Sequence, residues 1–150
     1  MKIEEFKNLR NFHISELDYR GRPIISKLSL LKPRLMYRLD EAVGFAKQEY
    51  GKDQGKFRIH CIVLGEHSKN SKHYTGEAID GHFFGLSLYE MVMIGMKAGF
   101  TGIGYYPDAN TKFVHFDIRE QDHISTWLFI HGEYVYDYDI FTERLLMEAA

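Results

Sequence analysis

Two histidines and an aspartate are the residues of this sequence whose types and spacing could carry chemistry. His73 and Asp80 lie seven residues apart, and His115 lies on a distant segment with the pattern of a strand. Together they could supply three protein ligands to one metal ion and leave a fourth position open for water. That arrangement is typical of catalytic zinc sites, in which the metal activates water.

A short motif surrounds the first histidine and has the frame S-x-H-x-x-G-x-A-x-D from Ser71 to Asp80. Small residues in a strand let another group approach the backbone, so Gly76 and Ala78 are interpreted as clearing space for a metal. Ser71 is expected to orient the loop or to hydrogen-bond a ligand. Ordinary turn chemistry is the alternative explanation for these three residues.

The second histidine begins a short series of polar residues on a predicted strand. His115, Asp117 and Arg119 lie two apart, so their side chains are expected on the same face. Asp117 could fix the imidazole of His115 or assist proton transfer. Arg119 could hold Asp117 or a substrate carboxylate through a forked pair of hydrogen bonds. An exposed aspartate-arginine pair without a catalytic role is the alternative.

These motifs resemble those of the zinc D-alanyl-D-alanine carboxypeptidases and endopeptidases that cut bacterial cell-wall peptides. That family shares the fold of its metal site with the hedgehog signalling domain. The similarity continues in the runs GIGYYP at residues 102–107 and FVHFDIR at residues 113–119, followed by Trp127. Such runs are typical of the phage and bacterial branch, so the resemblance implies an endolysin-like protein. The resemblance covers about residues 12 to 138.

The resemblance implies a zinc metallopeptidase that hydrolyses amide bonds of peptidoglycan stem peptides or D-alanyl peptides, as a carboxypeptidase or an endopeptidase. It also implies that His73, Asp80 and His115 are the Zn(II) ligands. Glu77 lies inside the motif, but neighbouring side chains of a strand point in opposite directions. We therefore expect Glu77 not to bind the metal.

The catalytic residues match the family pattern less well than the metal ligands do. Many members carry an arginine in a Gly-Tyr-Arg-Ser element that polarises the scissile carbonyl. Here the corresponding stretch is LGEHS at residues 64–68, so His67 or a nearby lysine would have to substitute. Phe113 stands where many members have a histidine two residues before the last ligand. The general base has no clear match, and Asp117 and Asp108 are the predicted proton carriers.

Two other functions stay open at this point. The first is a catalytically idle module that keeps the zinc and binds cell-wall or peptide ligands, which the missing base and arginine favour. The second takes His115 and Asp117 with His123 or His131 as the two-histidine, one-carboxylate set of a non-haem iron oxygenase. This second reading leaves the motif from Ser71 to Asp80 unexplained.

The composition indicates which binding partners and which cellular compartment to expect. The formal net charge of -2 gives no basic footprint, so nucleic acid is not an expected partner. No apolar run reaches membrane-spanning length, and the N-terminal residues lack the apolar region of a signal peptide, so membrane insertion is not expected. We therefore expect a protein that is cytoplasmic as synthesised and meets its substrate there, after lysis or on a phage particle. The single cysteine, Cys61, is expected to be a small buried hydrophobic residue.

The order of elements predicts one α+β domain over residues 1–150, with an antiparallel or mixed sheet and helices mainly on one face. Periodic apolar residues and capping signals predict helices at residues 32–50, 88–98 and 141–149. Short apolar or alternating runs predict strands at residues 57–64, 75–80, 103–105, 112–118, 127–130 and 133–138. A turn at His131 and Gly132 is predicted to join the last two strands.

Overall fold

The structure is a computed structural model that describes residues 1–18, 21–63 and 65–149. Its helices are α1 (Ile3–Lys7), α2 (Pro33–Tyr50), α3 (Leu88–Lys97) and α4 (Tyr138–Met147), with a 3₁₀ helix at Ile24–Leu30. Its strands are β1 (Leu17–Asp18), β2 (Arg22–Pro23), β3 (Phe57–Cys61), β4 (Ala78–Phe83), β5 (Gly102–Tyr106), β6 (Phe113–Asp117), β7 (Ser125–Ile130) and β8 (Glu133–Val135).

Six of these strands form one mixed sheet in the order β3-β4-β6-β5-β7-β8. The pair β5 and β7 is parallel, and the other four neighbouring pairs are antiparallel. Strands β1 and β2 form a separate two-stranded antiparallel sheet. The predicted α+β class with a mixed sheet is therefore confirmed.

Both long predicted helices form because their ends are encoded locally. Pro33 has a fixed φ that suits the first turn of α2, and Gly51 follows its last residue with a φ of 104°. In α3 the side chains of Ser87 and Glu90 each accept a hydrogen bond from the other residue's amide, so the predicted capping box is present. Across the described ranges, none of the helices combines the length with the apolar composition that a membrane span needs.

The six-stranded sheet has two faces with different roles. On one face Phe116 packs against α3, and the hydroxyl of Tyr105 donates a 2.8 Å hydrogen bond to the carbonyl of Phe141 in α4. Side chains alternate along β6, so His115 and Asp117 point to the opposite face. The helices cover mainly the first face, as predicted, and the polar residues of β6 lie on the second.

The predicted strand at residues 75–80 is wrong at its start. The chain turns through residues 72–76, and strand pairing runs instead from Ala78 to Phe83. Gly76 has a φ of 69°, and its amide donates a 3.1 Å hydrogen bond to the carbonyl of His73. A left-handed residue in a hydrogen-bonded turn cannot continue a strand, which is why β4 begins later than predicted.

Other strand ends also differ from the prediction. Strand β3 ends at Cys61, and Leu64, at the predicted end, lies outside the described residues. The turn between β7 and β8 is confirmed at His131 and Gly132, which both have positive φ. The last helix begins at Tyr138 rather than at residue 141 because Asp137 caps it, accepting a 3.0 Å hydrogen bond from the amide of residue 140.

Two helical glycines give a matched test of the packing behind β6. A Cβ on Gly95 in α3 would lie 2.2 Å from Cε1 of the fully buried Phe116, whereas a Cβ on Gly44 in α2 would meet nothing within 4 Å. We expect Gly95→Ala to lower the free energy of unfolding by about 1–3 kcal/mol because it overpacks the core. Gly44→Ala should raise it by about 0.5–1 kcal/mol, the helix-propensity gain. Urea denaturation measures both, and equal stability of the two variants would contradict the packing described here.

Candidate metal centre

Strand pairing brings two of the predicted ligands face to face. Asp80 in β4 is the direct neighbour of His115 in β6, and Oδ1 of Asp80 lies 2.9 Å from Nδ1 of His115. His73 enters from the turn before β4. Its Nε2 lies 3.2 Å from the same nitrogen of His115 and 3.2 Å from the same oxygen of Asp80. The structure thus brings the three predicted ligands together with one donor atom each.

The turn that carries His73 is held by close backbone contacts. The carbonyl of Gly76 accepts a 3.0 Å hydrogen bond from the amide of Lys32, and a Cβ on Gly76 would lie 1.8 Å from the carbonyl oxygen of Leu30. Gly76 therefore gives room to the segment before α2, which corrects the interpretation that it clears space for the metal. The hydroxyl of Ser71 does orient this loop, because it accepts a 3.3 Å hydrogen bond from the amide of His73.

Each histidine uses its other ring nitrogen to fix its orientation. Nδ1 of His73 donates to the carbonyl of Ile62, and Nε2 of His115 donates to Oδ2 of Asp117 at 3.0 Å. Both bonds place the ring proton away from the shared centre. Nε2 of His73 and Nδ1 of His115 are then the nitrogens that face the shared centre, and they would offer their lone pairs to a bound metal, as in carboxylate-histidine-zinc arrangements.

The residues present fit Zn(II). The three donor atoms are 2.9 to 3.2 Å apart, close to the edge of roughly 3.3 Å expected for a tetrahedron with metal-ligand bonds of about 2.0–2.1 Å. Two imidazoles and one carboxylate are nitrogen and oxygen donors that zinc accepts. Three protein ligands also match the composition of catalytic zinc sites, which keep one position for water or substrate.

Asp117 lies behind His115 and is fully buried. Arg119 binds it through two side-chain bonds, Nε to Oδ1 at 2.8 Å and Nη2 to Oδ2 at 2.6 Å, and the Arg119 amide adds a third at 3.2 Å. The guanidinium also lies over the ring of Trp127, 5.2 Å from its centre. Arg119 therefore neutralises Asp117, and Asp117 holds the imidazole of His115.

Two glycines without a predicted role make room for this arrangement. Gly102 is the strand partner of Asp117, and a Cβ there would lie 2.2 Å from Oδ1 of Asp117. Gly104 is the strand partner of His115, and its Cβ would lie 2.3 Å from Nε1 of Trp127. The signal was present in the sequence as two glycines at alternate positions of a strand, because alternate positions share one face.

The charges of the site reinforce one another. Burial alone would raise the pKa of Asp80, but hydrogen bonds from His115 and His73 outweigh it and hold this pKa well below its usual range. Burial alone would lower the pKa of His115, but its bonds to Asp117 and Asp80 raise that pKa to about 9. The pKa of Asp117 is likewise low, because bonds from Arg119 and His115 outweigh its burial.

The three ligands open into a cleft of about 1090 Å³. His67 lies on its wall, with its ring stacked on that of His73 at a centroid separation of 4.0 Å. Nε2 of His67 lies 3.4 Å from Sγ of Cys61, a buried residue that also lines the cleft. Aromatic rings form much of the remaining wall: Tyr106, Phe113, Trp127, Tyr134 and Tyr136. No sequence pattern indicates that Cys61 lies beside the site, because only the fold brings it there.

The structure does not bring Asp108 to the cleft. Its carboxylate instead accepts a 2.8 Å hydrogen bond from the amide of His131 at the β7-β8 turn. The ligand set of an iron oxygenase is not assembled either. His131 is exposed at that turn, and His123 is exposed beside Asp122, while Asp117 is buried behind His115.

Zinc binding should depend on the two histidines and not on Glu77. His73→Ala and His115→Ala each remove one of three donor atoms, so we expect the purified variants to lose their zinc. Glu77→Gln is the matched control, since the carboxylate of Glu77 accepts from the hydroxyl of Thr75 and lies 3.4 Å from Nζ of Lys72, away from the site. Elemental analysis gives the zinc content. Full occupancy in either histidine variant would contradict the ligand assignment.

Zinc uptake should also release a proton from His115. Its pKa of about 9 in the metal-free protein means that the ring is protonated at pH 7, and it must lose that proton to bind a metal. Because the pKa of Asp80 is low, that carboxylate has no proton to lose. Affinity should fall up to about tenfold for each pH unit below 9 from this group alone.

Calorimetric titration with zinc at pH 7, in buffers of different ionisation enthalpy, counts these protons. Asp117→Asn is the informative variant, because removing this charge lowers the pKa of His115 and should reduce the count. A binding enthalpy that is the same in every buffer would rule out the protonated His115.

One of two comparisons with known proteins finds a related family. A peptidase M15 family model, described as peptidoglycan L,D-endopeptidase MepK, matches residues 63–124, which include all three candidate ligands. A comparison with curated proteins finds no match. The family match supports a peptidase that acts on peptidoglycan. Over residues 63–124 the chain is therefore similar to a family of zinc peptidases of the bacterial cell wall, and the resemblance predicted from the two motifs is confirmed.

Proposed function

We propose that the protein is a zinc-dependent endopeptidase that hydrolyses an amide bond of peptidoglycan stem peptides. The observation that carries this proposal is the convergence of Nε2 of His73, Oδ1 of Asp80 and Nδ1 of His115 at the cleft. The description of the matching family, an L,D-endopeptidase, favours internal cleavage over removal of a terminal residue. D-alanyl peptides are the substrate of the carboxypeptidase alternative.

The chain's own residues would hold and shield the metal. His73, Asp80 and His115 are the ligands, and their donor geometry is already formed. When bound, zinc would supply a Lewis acid that polarises the scissile carbonyl and lowers the pKa of water to about 7. Asp117 keeps the Nδ1 lone pair of His115 directed at the site, and Arg119 keeps Asp117 ionised.

Asp117 is better suited to positioning than to proton transfer. Both of its oxygens accept hydrogen bonds, from His115 and from Arg119, and the side chain has no solvent exposure. A group that carries protons to a leaving amine must reach the substrate. We therefore assign Asp117 and Arg119 as positioning residues. Of the two roles predicted for Arg119, we propose the one of holding Asp117, because both of its side-chain hydrogen bonds go to that carboxylate.

His67 is the remaining predicted catalytic residue on the cleft wall. It stands in the stretch that replaces the arginine-containing element of related peptidases, and its ring lies against that of His73. An imidazole can donate a hydrogen bond to a carbonyl oxygen or exchange a proton. We propose that His67 contacts the scissile amide in one of these roles.

The aromatic wall gives the cleft a surface for an extended ligand. Tyr134 lies in the edge strand β8 and Tyr136 follows its end; their rings stack 6.3 Å apart, and they are 50% and 70% exposed. Tyrosine buries a large rigid area when a ligand covers it, at little cost in conformational entropy. This wall supports a substrate that extends beyond the scissile bond, as a stem peptide does.

A catalytically idle binding module is the second candidate. The observation in its favour is that neither predicted proton carrier is free to act: Asp117 borders the cleft but is unexposed with both oxygens hydrogen-bonded, and Asp108 is bound at the β7-β8 turn. Such a protein would bind stem peptides on the same aromatic wall and release no product. The two candidates differ in turnover and not in binding.

The deciding experiment incubates the zinc-loaded protein with purified peptidoglycan and with soluble cross-linked stem peptides. We expect new amino groups, with products whose masses show internal cleavage and no free alanine. Release of single D-alanine would instead identify a carboxypeptidase. If no amino group appears between about pH 5 and 9, where acid-base groups of this kind work, the idle module becomes the better account.

Two variants separate positioning from proton transfer. Asp117→Asn should weaken zinc affinity by about 10- to 100-fold, and excess zinc should restore most of its activity. Asp108→Asn should keep activity close to that of the wild type, because Asp108 lies away from the cleft. Zinc-loaded Asp117→Asn that remains inactive would show that Asp117 carries protons after all.

A further inference from the structure

A second group of metal-binding side chains lies beside the first. Cys61 ends β3, His67 follows on the next loop, and together with His73 they place three donor atoms within 4.8 Å of one another. Sγ of Cys61 lies 3.4 Å from Nε2 of His67, and the rings of His67 and His73 stack. All three residues line the cleft. The spacing is short enough for one cation to contact all three.

The two groups differ in chemical character. The first contains a carboxylate, whereas the second contains a thiol that becomes a soft thiolate when it binds a metal. Soft sulfur ligands select cations such as Cu(I), and carboxylates favour harder ions. Strand pairing places the groups side by side, because Cys61 is the strand neighbour of Asp80. A change of cation can therefore change which group is the better site.

His73 belongs to both groups. Its Nδ1 is engaged with the carbonyl of Ile62, so Nε2 is the nitrogen available to a metal in either group. One lone pair cannot bind two cations. Full occupation of the second group must therefore withdraw His73 from Asp80 and His115.

We propose that Cys61, His67 and His73 form a site for a thiophilic cation of the Cu(I) or Cd(II) type, which competes with the peptidase site for His73. Binding replaces the proton of the Cys61 thiol, which is released to solvent, and forms one sulfur-metal and two nitrogen-metal bonds. Occupation of this site leaves zinc with two protein ligands and lowers its affinity. The inhibition that follows rests on the proposed peptidase function, but the binding itself does not.

Cadmium is a suitable probe because a cadmium-thiolate bond absorbs in the ultraviolet. The chain contains one cysteine, so any such absorption reports Cys61. Titration of the metal-free protein should give this absorption, saturating at one Cd(II) per chain. Cys61→Ser should abolish this absorption. His67→Ala should weaken the affinity for Cd(II) at least about 100-fold, because losing a direct ligand should cost at least as much as losing a residue that only supports a ligand, for which the effect reaches about 100-fold.

Asp80→Asn is the matched control, because Asp80 belongs to the first group alone. This variant should keep the absorption while it binds zinc more weakly than the wild type. In the zinc-loaded wild type, added Cd(II) should release one zinc, measured with a zinc-sensitive dye, as the absorption grows.

Three results would overturn the proposal. Cadmium that binds without thiolate absorption, or with unchanged affinity in His67→Ala, would exclude the site. Absorption that saturates while zinc stays bound would exclude competition for His73. Failure of the peptidase assay alone leaves both measurements intact, so the two proposals fail separately.

Discussion

The buried carboxylate of Asp117 is the constraint on which the rest of the site depends. A charge with no solvent exposure is costly unless it is paired and hydrogen-bonded, and the cost reaches several kcal/mol per ion. Arg119 supplies the opposite charge through a forked pair of bonds, and His115 supplies a further donor. The same bond that satisfies Asp117 sets the tautomer of His115. One hydrogen bond thus both satisfies a buried charge in the sheet and orients a metal ligand.

This interaction restricts the strands on both sides. Ala78 in β4 and Gly102 in β5 flank Asp117, and neither has a side chain large enough to fill the space that the carboxylate occupies. Two residues earlier in β6, the strand neighbours of His115 are Asp80 and Gly104. Asp80 places a second metal-binding side chain on one side of the imidazole, and Gly104 leaves room for Trp127 on the other. Strand register therefore determines the metal centre as well as the core.

Local signals explain which parts could be predicted from sequence. Helices α2 and α3 have caps and apolar periods within their own residues, and the period-two spacing of His115, Asp117 and Arg119 is enough to predict that they meet on one face. The interpretation of Gly76 was wrong because the backbone that leaves no room for a side chain there belongs to Leu30, which is far away in sequence. The neighbours of Asp108 and Cys61 were likewise set by tertiary contacts, which no short pattern encodes.

The most direct test of the account is anomalous diffraction at the zinc absorption edge from crystals of the zinc-loaded protein. We expect one peak in the cleft, within about 2.0–2.2 Å of Nε2 of His73, Oδ1 of Asp80 and Nδ1 of His115. Asp117 should remain bonded to the far nitrogen of His115 in that crystal. A zinc peak elsewhere, or a zinc ion bound through Asp117 itself, would contradict the account.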